Sequence, residues 1–389
     1  MSFAAKIRKF SELLLMPKKI SLFGPAMSRV VIFDRPYLAE IRLLVDKEST
    51  CVFDPRYETR LFLAPFVKGI LNWVFTGFSL SLTHHYFVSF LRFSKPDLVM
   101  TAAFDNLIFY SVRKAISKSS IASFLVFQRG PLPIETLNKA TESGGLLPRD
   151  AVFCYTDTFA KEWNTGGAEM ISSGTLLSKV HINQSDQEKL TSRVGFISSY
   201  QHYGDAINGP PGVAESVFYK PEIAMLRPLL DSMNRLGYEL DIIGRCVGDI
   251  TKEEHAFYET YLGQKGWRFL PRQIEIGSYK VLAQYPMIFS AASTLGLEAL
   301  SSHLRVMFLD MTSAANYRDH FWSTSESSLR HSRLLLREKE ITTWENQIAE
   351  LLKVDDLAFE LFAQAVVGKG PMTTSFDDIQ AKIKLMLGQ

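Results

Sequence analysis

Ser293 and Thr294 stand where an apolar run, Met287 to Phe289, gives way to small residues and then to a helical pattern. Hydroxyl side chains at a helix start satisfy its free N–H groups. The first turn of such a helix also carries the positive end of the helix dipole, which suits a phosphate. Glu298 comes four residues after Thr294, so the two project from one helix face. Hydroxyls on a phosphate, with a carboxylate one turn later for a ribose, would hold a nucleotide. The same residues also make a plain capped helix whose acid is solvated. Gly244-Arg245 ends a second apolar run, and an arginine there offers a forked cation to phosphate oxygens.

Such residues work only if strands and helices bring them to one edge. Residues 237–245, 267–270 and 304–310 read as strands, and 222–236, 252–262 and 278–284 as helices between them. Strands alternating with helices predict βαβ units and a parallel sheet. Ligands of such sheets lie beyond the carboxyl ends of the strands. Gly244-Arg245 and 290–294 both fall there. The first half alternates in the same way. Strands are expected at 29–34, 43–45, 50–53, 97–101, 121–128, 151–155 and 168–172, and helices at 62–75, 80–93, 106–117 and 157–164. Polar, charged 179–193 reads as a linker, after which Val194 to Tyr200 restarts the strand pattern. Residues 201–218, rich in Gly and Pro, have the length of a functional lid. After Asp310 the chain reads as irregular to Thr343, followed by helices at 344–352, 355–366 and 376–387.

Ile243-Gly244-Arg245, Glu253-Glu254 with Phe257-Tyr258, Ser278-Tyr279-Lys280 and the Ser293 to Leu300 stretch together resemble bacterial surface-carbohydrate biosynthesis proteins of the lipopolysaccharide and capsule pathways. These are similar to glycosyltransferases of the GT-B architecture. Pro96 to Thr101 with Asp105-Asn106, Phe127-Gln128-Arg129-Gly130 and Phe321-Trp322 extend the likeness over roughly residues 28–340. Arg129 stands where the pattern leads one to expect Asn. The resemblance implies an α/β fold of two facing Rossmann-like parallel-sheet domains. They are an acceptor-side domain at 28–185 and a nucleotide-sugar domain at 190–340. A basic segment at 1–27 precedes them, and closing helices at 341–389 return to brace the first domain.

The resemblance also implies the chemistry. Arg245 would neutralise the leaving phosphate. Ser198, Ser199, Tyr200, Gly244, Tyr279, Ser293, Thr294, Gly296 and Glu298 would surround the donor, with Tyr279 stacked on the base. Gln128 and Gly130 would touch acceptor or donor sugar. A base must lie within hydrogen-bond reach of the acceptor hydroxyl, and Asp105, then Asp34, are the candidates, each just past a strand. Asp105 equally suits a helix cap. Glu40, His84 and His85 are weaker. A retaining reaction would instead use a carboxylate as nucleophile. No cofactor and no metal are expected: the chain has no Asp-x-Asp, and such enzymes commonly need none. Two alternatives stay open. A polyol-phosphate transferase would rely on a histidine, His202 or His303. An inactive glycan-binding scaffold would need neither.

Composition is that of an ordinary globular protein. The 389 residues carry a net charge of +2, which gives no reason to expect a nucleic-acid partner. No Gly-x-Gly-x-x-Gly, no phosphate-binding Gly-x-x-x-x-Gly-Lys and no Gly-x-Ser-x-Gly occurs, which weakens nicotinamide-enzyme, nucleotide-triphosphatase and hydrolase readings. Three widely spaced cysteines fit a reducing cytoplasm. Residues 3–19 place Lys6, Arg8 and Lys9 beside Phe3, Ile7, Phe10 and Leu13, with Lys18 and Lys19 after them. That pattern could rest on an anionic membrane surface, at the inner face of the cytoplasmic membrane, or pack on the domain as an ordinary helix.

Overall fold

The computed structural model describes residues 19–389 except 36, 55–59, 118–121, 131–133, 143, 164–165, 182–188, 201–219, 273–276, 292 and 311–331. Residues 3–16, the 201–218 segment, His202 and Phe321-Trp322 therefore lie outside the described residues.

The first half runs β1 (Lys19–Ser21), β2 (Val30–Phe33), α1 (Leu38–Leu44), β3 (Thr50–Phe53), β4 (Arg60–Phe62), α2 (Leu63–Phe75), α3 (Leu82–Ser94), β5 (Leu98–Thr101) and α4 (Leu107–Ile116). It continues with β6 (Ser123–Phe127), α5 (Ile134–Glu142), β7 (Ala151–Cys154), α6 (Asp157–Glu162), β8 (Glu169–Ser172) and α7 (Leu176–His181). Six of these strands form one sheet in the order β3-β2-β5-β6-β7-β8, and β1 pairs with β4 beside it. Every pairing is parallel. The four residues of each of β2, β5 and β7 are all buried. Strands covered on both faces read as continuous apolar runs, which is why the sequence displays them so clearly.

The second half comprises β9 (Arg193–Ile197), α8 (Lys220–Arg235), β10 (Glu239–Ile243), α9 (Ile250–Leu262), β11 (Trp267–Leu270), α10 (Gly277–Leu282), β12 (Ile288–Ser290), α11 (Thr294–Ser301), β13 (Val306–Leu309) and β14 (Leu335–Leu336). Its sheet, again wholly parallel, has the order β11-β10-β9-β12-β13-β14. The closing helices are α12 (Trp344–Lys353), α13 (Asp356–Val367), α14 (Lys369–Thr373) and α15 (Phe376–Met386). Helix α13 packs on α11, whereas α14 packs on α6 and β8, and α15 on α1 and α7. Ile379 and Ile383 of α15 enter the apolar cluster that contains Val30, Ile32 and Met100 of the first sheet. Among the described residues no helix is long and apolar enough to cross a membrane.

Two buried ionic groups brace the sheets. Arg113 donates to both carboxylate oxygens of Asp150, at 2.7 and 3.1 Å, while Phe124 N–H and Leu147 N–H donate to the same carboxylate. In the second sheet Asp241 accepts from Arg193, Arg268 and the Tyr285 hydroxyl. Burial raises the Asp241 pKa, but these donors outweigh it and hold the carboxyl below its ordinary value.

Three sequence expectations need correction. Residues 43–45, expected as a strand, complete α1 and its cap: Ile41 and Leu44 share one buried helical face. The expected linker from Lys179 begins inside α7. Lys179 is buried and donates to the carbonyl of Pro371, and burial lowers its ammonium to about 8 against an opposing pull from Asp378. The stretch expected to be irregular to Thr343 contains β14, which pairs with β13.

Candidate active site between the two sheets

The carboxyl ends of β6 and β7 meet the amino end of α11. The Tyr155 hydroxyl, one residue past β7, donates to the Thr294 carbonyl at 2.5 Å. A Cβ on Gly130 would stand 3.3 Å from Thr294 Oγ1. The two halves thus close on the segment that carries the Ser-Thr-Leu-Gly-x-Glu pattern.

Local chemistry fixes α11 in place. Ser293 accepts from Leu295 N–H at 3.3 Å, and its own N–H donates to Ser290 Oγ at 3.3 Å. Ser293 is therefore the cap. A Cβ on Gly296 would fall 2.6 Å from Ser290 Oγ, so only glycine lets the helix lie this close to β12.

Glu298 is enclosed, not solvated, with 2% of its surface exposed. Tyr279 donates to its Oε2 at 2.6 Å. Burial raises its carboxyl to about 7, against the pull of hydrogen bonds from Tyr279 and Thr175. Its Oε1, equally enclosed, receives no well-formed hydrogen bond from the described residues. Tyr279, expected to stack on a base, is instead turned onto this carboxylate. Tyr37, Tyr155 and Tyr279 all have phenols raised by burial first and by the nearby Glu298 charge second. Tyr37 donates to the Arg129 carbonyl at 3.2 Å. A carboxyl from the second half thus sits among tyrosines from both.

The Arg245 loop is shaped by a residue the sequence did not single out for a role. Glu254, wholly buried on α9, accepts from the Ser198 hydroxyl, from Arg245 N–H at 2.9 Å and from Cys246 N–H at 2.8 Å. Gly244 fits beneath because a Cβ there would meet Phe269 Cζ at 2.8 Å. The Arg245 side chain is exposed, with Nη1 3.4 Å from the Ser199 carbonyl. Arg272 reaches the Arg245 carbonyl at 3.2 Å and adds a second cation to this edge. The Ser198 hydroxyl is committed to Glu254 and also accepts from Tyr258, so it helps to hold the Arg245 loop. Ser199 Oγ is buried and unpartnered among the described residues. The Tyr200 ring packs 5.2 Å from that of Phe257.

On the first sheet Gln128 is buried, and its amide is used within the loop. It accepts from Tyr155 N–H at 2.8 Å and donates to the Gly130 carbonyl at 3.1 Å. Gln128 thus shapes the loop, contrary to the expected sugar contact, and Arg129 is the exposed member. Asp105 is exposed on the loop after β5. That loop is pinned by Thr101 Oγ1, which donates to the Phe33 carbonyl at 3.0 Å, and by Tyr110, which donates to the Phe104 carbonyl at 2.7 Å. Asn106, not Asp105, caps α4. Asp34 is buried, with a positive φ of 69°, and its Oδ1 accepts from Arg35 N–H at 2.8 Å. Glu40 lies in the first turn of α1. His84 and His85 are buried in α3 against Ser111 and Thr76. Burial, with His85 beside it, lowers His84 to about 4. His303 lies past the carboxyl end of α11, with Nε2 3.3 Å from the Met372 carbonyl, away from the strand edge that forms the site.

Tyr37, Tyr155, Thr175 and Arg272 escaped the sequence reading, and Glu254 entered it only as part of the resemblance, without a role. Tyr155 follows β7 directly and Thr175 comes three residues after β8, and the carboxyl-edge rule could have flagged both. Arg272, two residues past β11, falls under the same rule, and Tyr37 carries no such signal.

Residues 145–327 match a family model described as "putative O-antigen biosynthesis protein". The match spans the whole Ser293 to Leu300 stretch. No curated protein matches the chain in sequence. Solved structures share its fold. One, described as a "putative UDP-N-acetylglucosamine 2-epimerase" from Listeria monocytogenes, is 12% identical with a TM-score of 0.54, over 92% of this chain and 96% of that one. The S. aureus MnaA–UDP co-structure is 11% identical with a TM-score of 0.54, over 95% and 97%. Sucrose-phosphate synthase from Thermosynechococcus elongatus is 10% identical with a TM-score of 0.51, over 93% and 98%. The chain has the GT-B architecture of two facing Rossmann-like domains.

Proposed function

We propose that this protein is a glycosyltransferase that moves a sugar from a nucleotide-sugar donor to a bacterial surface glycan such as an O-antigen, core or capsule chain. The observation that carries this reading is the pair of exposed cations, Arg245 and Arg272, gathered at the carboxyl edge of the second sheet on a loop held by the buried Glu254. Arg245 and Arg272 supply cations for the leaving phosphate, and no step is routed through a metal. The acceptor oxygen forms its bond to the anomeric carbon, the sugar–phosphate bond breaks toward the phosphate, and Asp105 takes the hydroxyl proton. Asp105 is favoured over Asp34 because it is exposed, whereas Asp34 is turned onto its own backbone. The O-antigen description of the family model supports the acceptor class. UDP is the first nucleotide to try, because a fold relative is a UDP co-structure. The setting is cytoplasmic, at the inner face of the membrane, with residues 3–19 as the contact. Of the two histidines that a polyol-phosphate transferase would need, His303 is remote from the site and His202 lies outside the described residues.

The test is a thermal-shift screen of CMP, CDP, UDP, GDP and their sugar conjugates, followed by donor hydrolysis. A nucleotide that binds only the folded state raises the melting temperature. Arg245→Ala should melt like the wild type and hydrolyse the donor about 100- to 1,000-fold more slowly, the usual loss for a leaving-group contact. No shift with any nucleotide would favour a non-catalytic scaffold.

A further inference from the structure

Helix α2 turns Val67, Leu71, Val74 and Phe75 to solvent on one face, with Phe75 83% exposed. Its opposite face, with Phe66 and Trp73, is buried against α3. The outer face continues into the segment after β1, where Phe23 is 81% exposed. That segment crosses the end of α3: a Cβ on Gly24 would stand 2.7 Å from the Phe93 ring. Lys68 Nζ lies 5.8 Å over the same ring. Scattered apolar residues on a surface are ordinary, but a contiguous run marks an interaction site.

The charge pattern identifies the partner. Residues 60–95 contain Arg60, Lys68, Arg92 and Lys95 and no acidic residue at all. Residues 1–27 contain five basic residues and one acid. The two stretches hold nine of the chain's 43 basic residues and one of its 41 acidic ones, a net +8 that leaves −6 for the remainder. Residues 19–21 lie beside the 60–95 stretch, because β1 pairs with β4, which leads directly into α2. An apolar face set in a one-signed basic field matches an anionic lipid surface. Helix α3 ends just before β5 begins, and α2 runs antiparallel to it, with Phe62 near Phe90 and Trp73 near Leu80. The turn after Phe75 is therefore at the carboxyl end of the sheet, the side on which the cleft opens.

We propose that the exposed face of α2, with Phe23 and Phe93, is a folded docking surface for anionic lipid bilayers. It extends the peripheral location proposed above and stands on Phe23, the outer face of α2 and Phe93, not on 3–19. The test is flotation of the full chain with vesicles of phosphatidylcholine alone and with about one-third phosphatidylglycerol. The chain should float with the anionic vesicles only, and less in high salt. Leu71→Ser/Phe75→Ser should lower the bound fraction about tenfold or more, and Phe10→Ser should lower it less. Lys68→Glu, an exposed change that leaves the apolar residues in place, should also weaken binding. Flotation with neither vesicle overturns the proposal. So does a double variant that floats like the wild type while Phe10→Ser does not, because residues 3–19 alone would then be the anchor. A wild-type dimer that the double variant dissociates would overturn it too, as the seat of a second copy.

Discussion

Replacing Glu298 by Gln tests whether this carboxyl is held neutral inside the cleft. Its folded pKa is raised to about 7 from an ordinary 4.5 by burial, with Tyr279 and Thr175 pulling the other way. Between those values the native state holds a proton that the unfolded chain has lost. Stability from this group is thus fully present below pH 4.5 and is lost as pH rises to about 7. A shift of that size corresponds to about 3 kcal/mol, at about 1.4 kcal/mol per pH unit. Glutamine cannot ionise and still accepts from Tyr279. The difference in unfolding free energy, wild type minus Glu298→Gln, should therefore fall by about 3 kcal/mol from pH 4.5 to pH 7.5 and then level off. Urea titrations at half-unit pH steps would measure it, since all other groups titrate alike in both proteins and cancel. A difference that stays flat, or that grows with pH, would refute a raised pKa and with it the picture of a dry, enclosed carboxyl.

Glu254→Ala should cost about 3 kcal/mol, because buried donors at Ser198, Arg245 and Cys246 lose their acceptor together. It should also weaken nucleotide binding by loosening the Arg245 loop, and Glu254→Gln should restore part of both, as read by urea midpoint and titration calorimetry. Gly296→Ala should lower stability by about 1–3 kcal/mol as α11 is pushed off β12. A thermal melt reads that loss, and adding Ser290→Gly should recover part of it.

Much of the fold could be read from the chain because its strands are buried on both faces. Val30 to Phe33 and Val306 to Leu309 are unbroken apolar runs, and no neighbouring context is needed to recognise them. Short amphipathic helices were harder. Leu43-Leu44-Val45 is as apolar as a strand, and only the spacing from Ile41 marks it as the end of a helix. Lys179 looked like part of a solvated linker because the carbonyl that receives it belongs to Pro371, far along the chain. In the site, the residue types of α11 and the Arg245 loop were visible, as was their place at the strand edge. Their surroundings were not. Whether Glu298 faces water or is walled in depends on Tyr155 and Thr175, which come from the other sheet. Glu254 lies only one helix start away from Arg245, yet nothing in a Glu-Glu pair says which of the two turns inward to hold a loop.

The path of the last helices sets an order of events during synthesis. Ile379 and Ile383 complete the packing on one face of the first sheet, Arg29 donates to the Leu387 carbonyl at 2.6 Å, and Lys369 N–H donates to Asp157 at 2.9 Å. These partners are made roughly 200 residues after β8, or about 10–40 s later at ordinary translation rates. The first domain must wait that long on the ribosome with an apolar face uncovered. The second domain, which begins later, has all its strands made by Leu336, before α15 arrives to cover the first sheet. The half of the molecule translated first is therefore the last to be finished, and it is the one exposed to chaperones and proteases in the interval.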